Sequence, residues 1–354
     1  MKNVFKVLMM LVIALVLVGC GEKQEHTHVF GEWVVVKEAT EEEDGLKECV
    51  CECGEKETEV IAKLEHVHNF VDGECSCGGK VKEEVKIIVP QGNPFIAVGN
   101  LIGEENISIE SVNGAAGVKA GLVGNDYDIV IAPLNIGAQL YVGDKSKYVL
   151  DSVVALGNTY IISNKDTKLD SISDLEGKTI LAYSQGGTPD IILQYALNQN
   201  NVNTVIEYQP SLTEVVPFFV QGKYDYILAA EPVITNLKVN KNKELNVLDL
   251  QDVVDATIMQ AAIFVNPDST KQDSIDVVIN KIKDNIENMN KDPEKYANSI
   301  IEKDVYFKDL GANIMSQSIP NSNLDFVKAK DNKAKVESYL TMIGYKLPDE
   351  AFYR

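Results

Sequence analysis

Cys49, Cys51 and Cys53 stand at every second position of the stretch ECVCECGEKE, and no cysteine follows Cys77. All four histidines, His26, His28, His66 and His68, fall in the same first fifth of the chain. Their order repeats. His26-Thr27-His28-Val29-Phe30 precedes Cys51-Glu52-Cys53-Gly54, and His66-Val67-His68-Asn69-Phe70 precedes Cys75-Ser76-Cys77-Gly78. Thiolate and imidazole are the preferred ligands of zinc, and four of them close a structural site. Cys51, Cys53, Cys75 and Cys77 with His28 and His68 are therefore candidate ligands for one or two zinc ions. Disulfides are the competing chemistry if the chain is exported. Within one C-x-C pair on a strand the Cα atoms would lie about 6.5–7 Å apart, at the edge of what a bridge spans, but bridges between the two pairs remain open. A degenerate spacer is the third reading.

The elements that would hold these side chains are short. EWVVVKEA and KETEVIAKL read as β-strands joined by the acidic turn Glu41–Gly45. The segment resembles the Cys/His repeats of surface proteins in anaerobic Firmicutes. It departs from them in having C-x-C where C-x-x-C-G is usual, and Glu41 where a further cysteine often stands. A β-rich Cys/His module over 26–80 follows, with the charged stretch VKEEV, 81–85, as a linker.

The chain start sets the compartment. Lys2 and Lys6 precede the apolar run Val7–Val18, the length of a signal-peptide core and too short to span a bilayer comfortably. Leu17-Val18-Gly19-Cys20 resembles a bacterial lipobox, in which cleavage before the cysteine leaves a lipid-modified N-terminus. The reading is a lipoprotein signal peptide over 1–19, a lipidated tether over 20–25 with Cys20 as the lipidation site, and a protein held at the extracytoplasmic face of the cell membrane. Two acyl chains on one cysteine suffice for stable anchoring. The formal net charge of -20 argues against nucleic acid or anionic lipid as partners.

The rest of the chain contains a duplicated unit. Lys86–Ile102 (KIIVPQGNPFIAVGNLI) and Lys178–Leu197 (KTILAYSQGGTPDIILQYAL) each run apolar strand, Gln-Gly turn, proline, helical pattern. Proline suits a first helical turn, where no N–H is needed, and glycine permits the sharp entry. A second pair, Gly121–Pro133 and Phe219–Pro232, runs helix end, Gly, Asp, apolar strand, Pro. Buried strands alternating with helices imply parallel sheets, and two sets imply two similar α/β lobes. Ligands of such sheets bind beyond the carboxyl ends of the strands, which for facing lobes is the cleft between them.

VVALGNTYIISN, SISDLEGKTILAYSQGGTPDIILQYAL, VQGKYDYILAAEPVIT and KLPDEAFYR, taken in order, resemble the substrate-binding proteins of ABC importers in the nitrate/sulfonate/taurine and thiamine-precursor class. The resemblance covers nearly all of 85–354. It implies an α/β, two-lobed periplasmic-binding-protein fold (type II-like) that closes around its ligand, with 86–158 and 262–354 forming lobe one and 159–261 lobe two. By the same likeness VALGNTYIIS and IMQAAIFVNP are the two crossing strands. The implied function is capture of a small molecule and its delivery to an ABC permease.

Family position and the strand-end rule together select ligand-binding candidates. In lobe one these are Gln91, Gly92, Asn93, Pro94 and Asn135; in lobe two, Ser184, Gln185, Gly186, Gly187, Thr188, Glu231 and Pro232. Thr159 and Tyr160 lie at the crossing. Turn chemistry explains the glycines and prolines equally well, and core packing explains Tyr160. Residues 85–354 contain neither His nor Cys, which argues against catalysis and leaves no cofactor required there. No arginine precedes Arg354, which disfavours recognition of an amino-acid carboxylate. A small oxyanion or sulfonate held by helix N-termini and a neutral heterocycle stacked on Tyr160 both remain. The rival readings are a zinc-acquisition receptor, for which the cleft offers only oxygen ligands, and a surface adhesion module.

Overall fold

The structure is a computed structural model that describes residues 29–40, 43–62, 70–71, 74–75 and 83–354. The chain divides into two compact units, residues 1–67 and 68–354. The division falls inside the 26–80 segment.

The first unit holds a three-stranded antiparallel meander, β1 (Val34–Lys37), β2 (Gly45–Val50) and β3 (Lys56–Ile61). The sequence reading expected two strands there. The stretch GLKECV, which follows the acidic turn and has no element in that reading, forms the central strand, because its alternation lets Gly45 and Cys49 face inward. Cys51 continues that inward face, and the following turn leaves Cys53 exposed. Burial among neighbouring carboxylates raises the pKa of the Cys49 thiol.

The second unit opens with two short paired strands, β4 (Phe70–Val71) and β5 (Glu74–Cys75). Two α/β lobes follow. Lobe one is built on a six-stranded sheet of order β16-β9-β15-β8-β6-β7. Its strands are β6 (Val85–Pro90), β7 (Ile107–Val112), β8 (Ile129–Pro133), β9 (Val149–Ala155), β15 (Ala261–Val265) and β16 (Leu324–Lys328). Lobe two is built on a five-stranded sheet of order β12-β11-β13-β10-β14. It comprises β10 (Tyr160–Asn164), β11 (Thr179–Tyr183), β12 (Val205–Gln209), β13 (Tyr226–Ala229) and β14 (Leu245–Asp249). The helices of lobe one are α1 (Asn93–Ala97), α2 (Ala115–Val123), α3 (Leu134–Val142), α7 (Gln272–Lys291), α8 (Pro293–Ile300), α9 (Val305–Leu310), α10 (Ala312–Ser318) and α11 (Lys333–Met342). Lobe two carries α4 (Thr188–Gln199), α5 (Leu212–Val220) and α6 (Val233–Asn240).

Both sheets are buried on both faces, and the side-chain alternation shows it. Ile87 and Val89 join a core with α7 residues such as Ile275, Ile279 and Ile282, while Ile88 joins a core reached from both lobes. In lobe two, Ile180 and Ala182 enter that shared core and Leu181 faces Val215 and Phe219. The helix period in α7 is equally plain, with Ile275, Val278, Ile279, Ile282, Ile286 and Met289 buried along one stripe.

Two expectations need correction. The sheets are mixed rather than parallel. β6 pairs parallel with β7 and β8, but β15 runs antiparallel to β8 and β9, and β10 antiparallel to β13 and β14. β10 and β15 lie at the crossings between lobes, where the chain re-enters a sheet without an intervening α-helix. VALGNTYIIS is also not one strand. It breaks at Leu156–Thr159 into β9 of lobe one and β10 of lobe two, with Gly157 at φ 128 making the bend. The return crossing lies between Asp252 and β15.

The interlobe cleft

The duplicated strand–turn–helix units meet across a cavity of about 430 Å³. From lobe one, β6 ends at Pro90, Gly92 turns at φ 104, and Pro94 enters the first turn of α1. From lobe two, β11 ends at Tyr183, Ser184 and Gly186 take positive φ, and Pro189 enters the first turn of α4. A Cβ on Gly187 would stand 2.9 Å from the Ser184 carbonyl oxygen, so the tight turn requires glycine there.

Of the sequence candidates, Gln91, Gly92, Asn93, Pro94, Asn135, Ser184, Gly186, Gly187, Thr188 and Glu231 line the cavity. Four do not. Gln185 is exposed and is not among the lining residues. Thr159 is fully buried at the crossing and its hydroxyl has no hydrogen-bond partner. Tyr160 is buried too, its hydroxyl donating to the Asn321 carbonyl and accepting from Asn323 Nδ2. It therefore fastens the crossing instead of presenting a ring to a ligand. Pro232 sits behind Glu231 at the start of α6. The cavity also takes in Ile136 and Gln139 from α3, Asn158 from the crossing, Gln260 before β15, and Tyr345. Of these, Gln260 is fixed by its backbone, which accepts from Leu134 N–H and donates to Ala155 C=O at 3.0 and 2.9 Å.

The two lobes touch across the cleft. Thr188 Oγ1 donates to Asn135 Oδ1 at 3.1 Å, and both residues are buried. Glu231 is held by Asn158, which pairs with both sides of its backbone. Asn158 Nδ2 donates to the Glu231 carbonyl at 2.8 Å, and the Glu231 N–H donates to Asn158 Oδ1 at 2.7 Å. One carboxylate oxygen of Glu231 accepts the Thr235 N–H at the start of α6. Burial raises the Glu231 pKa, and the bonds from Thr235 only partly offset it.

The start of α4 carries its own anion. Asp190 is fully buried and its carboxylate accepts from Gly186 N–H at 2.7 Å, from Tyr208 Oη at 2.8 Å and from Gln194 Nε2. A carboxylate in the first turn complements the helix dipole. Burial, with the bond to Asp190, pushes the Tyr208 phenol up to about 12.

None of the zinc candidates is among the described residues that line the cavity. Cys51 and Cys53 belong to the first unit; His28, His68, Cys77 and the lipidation candidate Cys20 lie outside the described residues, and Cys75 is described only in its backbone. Among the described residues, no group of three or more His, Cys, Asp or Glu side chains is arranged to hold a metal. No described helix is long and apolar enough to cross a membrane.

Residues 148–296 match the family model described as NMT1/THI5 like. No curated protein matches. Among solved structures, an ABC transporter from Parabacteroides distasonis superposes with a TM-score of 0.66 at 20% identity, over 76% of this chain and 98% of that one. The periplasmic aliphatic sulphonate binding protein SsuA from Escherichia coli gives 0.59 at 13% identity, over 73% and 85%. The alkanesulfonate-binding protein SsuA from Xanthomonas axonopodis pv. citri, bound to MOPS, gives 0.55 at 13% identity, over 75% and 94%. With two mixed α/β lobes, two crossings and a cavity between them, residues 85–354 have the two-lobed periplasmic-binding-protein fold, and their 148–296 segment matches the NMT1/THI5 like family model.

Proposed function

We propose that the second unit captures one small solute between its lobes and delivers it to an ABC permease. The observation that carries this reading is the cavity of about 430 Å³, lined from both lobes and bridged by the Thr188–Asn135 hydrogen bond. That volume suits a small molecule, and a ligand touching both lobes favours the closed arrangement. The descriptions of the structural neighbours, an ABC transporter and two sulfonate-binding proteins, support the same role. An oxyanion, a sulfonate or a small heterocycle are the solute classes in play. Among the described residues the cleft lining has no His or Cys and a single carboxylate, which disfavours zinc as the cargo.

A ligand that binds only the folded state raises stability by mass action, about 2.7 kcal/mol at a hundredfold excess over its Kd. A melting screen across small solutes is the test. At least one should raise the melting temperature, and Asn135→Trp, which fills the cavity from α3, should remove the shift. A ligand bound equally well by that variant would place the site elsewhere, and a broad screen without any shift would sink the solute-binding reading. Acylation of Cys20 would tether the binding unit beside its permease. Detergent-phase partitioning tests that part, since Cys20→Ala should move the protein into the aqueous phase.

A further inference from the structure

We propose that the cleft selects a solute presenting N–H donors, neutral or cationic, and rejects sulfonates and other oxyanions; this rests on the cleft being a solute site. Three observations carry it. First, among the described residues the only formally charged one lining the cavity is the acidic Glu231, and no Lys, Arg or His of them lines it. An anion would enter beside a buried carboxyl with no countercharge, whereas an ammonium, amidine or aromatic amine would find its partner there.

Second, the polar lining is made largely of neutral side-chain amides, from Gln91, Asn93, Asn135, Gln139, Asn158 and Gln260. An amide carbonyl can accept a ligand N–H, and none of these groups supplies the positive charge that an anion would need. Third, one feature that would favour an oxyanion, the turn leading into α4, already holds a carboxylate. The Gly186 N–H at the start of α4 donates to Asp190, whose carboxylate occupies the positive end of that helix. The overall charge of -20 acts in the same direction, drawing cations and repelling anions.

The experiment compares two probes of like shape, benzamidine and benzenesulfonate, alongside cytosine, ethanesulfonate and nitrate, by thermal melting and titration calorimetry of the full chain. The expected result is a rise in melting temperature with benzamidine or cytosine and none with the sulfonates or nitrate. Glu231→Gln should weaken the binding amine at least tenfold. Because Glu231 also accepts the Thr235 N–H, Gln260→Leu is the second variant; it replaces a lining amide away from α6 with an apolar side chain and should weaken the same probe several-fold. A shift confined to the anions, or amine affinity unchanged in both variants, overturns the inference and leaves the solute-binding reading standing. Silence from every probe overturns the inference, and the broad solute screen then decides that reading separately.

Discussion

Asn158→Ala is expected to loosen the cleft from behind. The Asn158 side chain does for Glu231 what a neighbouring strand would do, accepting its N–H and donating to its carbonyl at 2.7 and 2.8 Å. Asn158 is 9% exposed and Glu231 5%. Alanine leaves two buried polar groups without those partners, at about 1–3 kcal/mol each. Water entering from the adjoining cavity would recover part, so the net loss should be about 2–4 kcal/mol. For a domain of this size that is a fall in Tm of roughly 5–12 °C. The neighbouring Thr159→Val is the control. Its hydroxyl is fully buried and unpartnered, so its removal should leave stability unchanged or raise it by about 1 kcal/mol. Circular dichroism melts of the three proteins decide. A fall under about 2 °C for Asn158→Ala, or a larger fall for Thr159→Val, would refute the assignment of these two side chains.

Further expectations concern lobe one. The carboxylate of Asp151 is fully buried between Lys328 Nζ at 2.8 Å and Arg354 Nη1 at 3.0 Å, so Arg354→Ala should lower stability by about 1–3 kcal/mol, read as a lower urea midpoint. Burial opposes ionisation of Asp128, but the Lys86 N–H, Lys271 and Ser269 outweigh it and hold its pKa below the ordinary 3.8. The folded state therefore releases that proton more readily than the unfolded chain, and the stabilisation is present above 3.8 and lost as pH falls through the depressed value. Melts of wild type and Asp128→Asn should accordingly differ at neutral pH and converge in acid; a constant difference would contradict this. Gly137→Ala would put a Cβ 2.1 Å from the Phe264 ring, so a loss of about 1–3 kcal/mol or more is expected by chemical denaturation, and a neutral result would mean that α3 can shift.

The parts of the fold that were legible in sequence are those carried by local pattern. The strand–Gln-Gly–helix units announced themselves because glycine, proline and an apolar run must follow one another for the chain to turn from a sheet edge into a helix. Pairing direction was not legible. Nothing local in AAIFV says that β15 inserts antiparallel between β9 and β8, since the register is set by strands more than a hundred residues upstream. The cleft followed the same division. Turn residues such as Gly92 and Thr188 could be named from their units, whereas Asn158 and Gln260 sit in crossing segments that have no periodicity to read. Gln185 illustrates the limit of repeat logic. It occupies the place of Gln91 in the second unit, yet Gln91 lines the cavity and Gln185 does not, and the two turns differ in that Ser184 precedes it at positive φ. Tyr160 shows another limit, because an aromatic beside a binding cleft can equally be the bolt of the hinge.

The placement of β15 at the interior of the lobe-one sheet has a temporal consequence. Lobe two is drawn from one uninterrupted stretch, so its sheet can be completed once the chain through β14 has emerged from a ribosome or a translocation pore. Lobe one cannot follow the same schedule. Its early strands β8 and β9 have no direct pairing with each other and wait for β15, and β16 must then cover the far edge of β9. Until that moment β8 and β9 each present an open hydrogen-bonding edge, a surface prone to pairing with other chains. We therefore expect vectorial emergence to yield a finished lobe two flanked by an unfinished half-sheet, a long-range closure that high contact order makes slow. Pulsed hydrogen exchange should find amides of β10–β13 protected before those of β8 and β9, and the opposite order would show that lobe one assembles first.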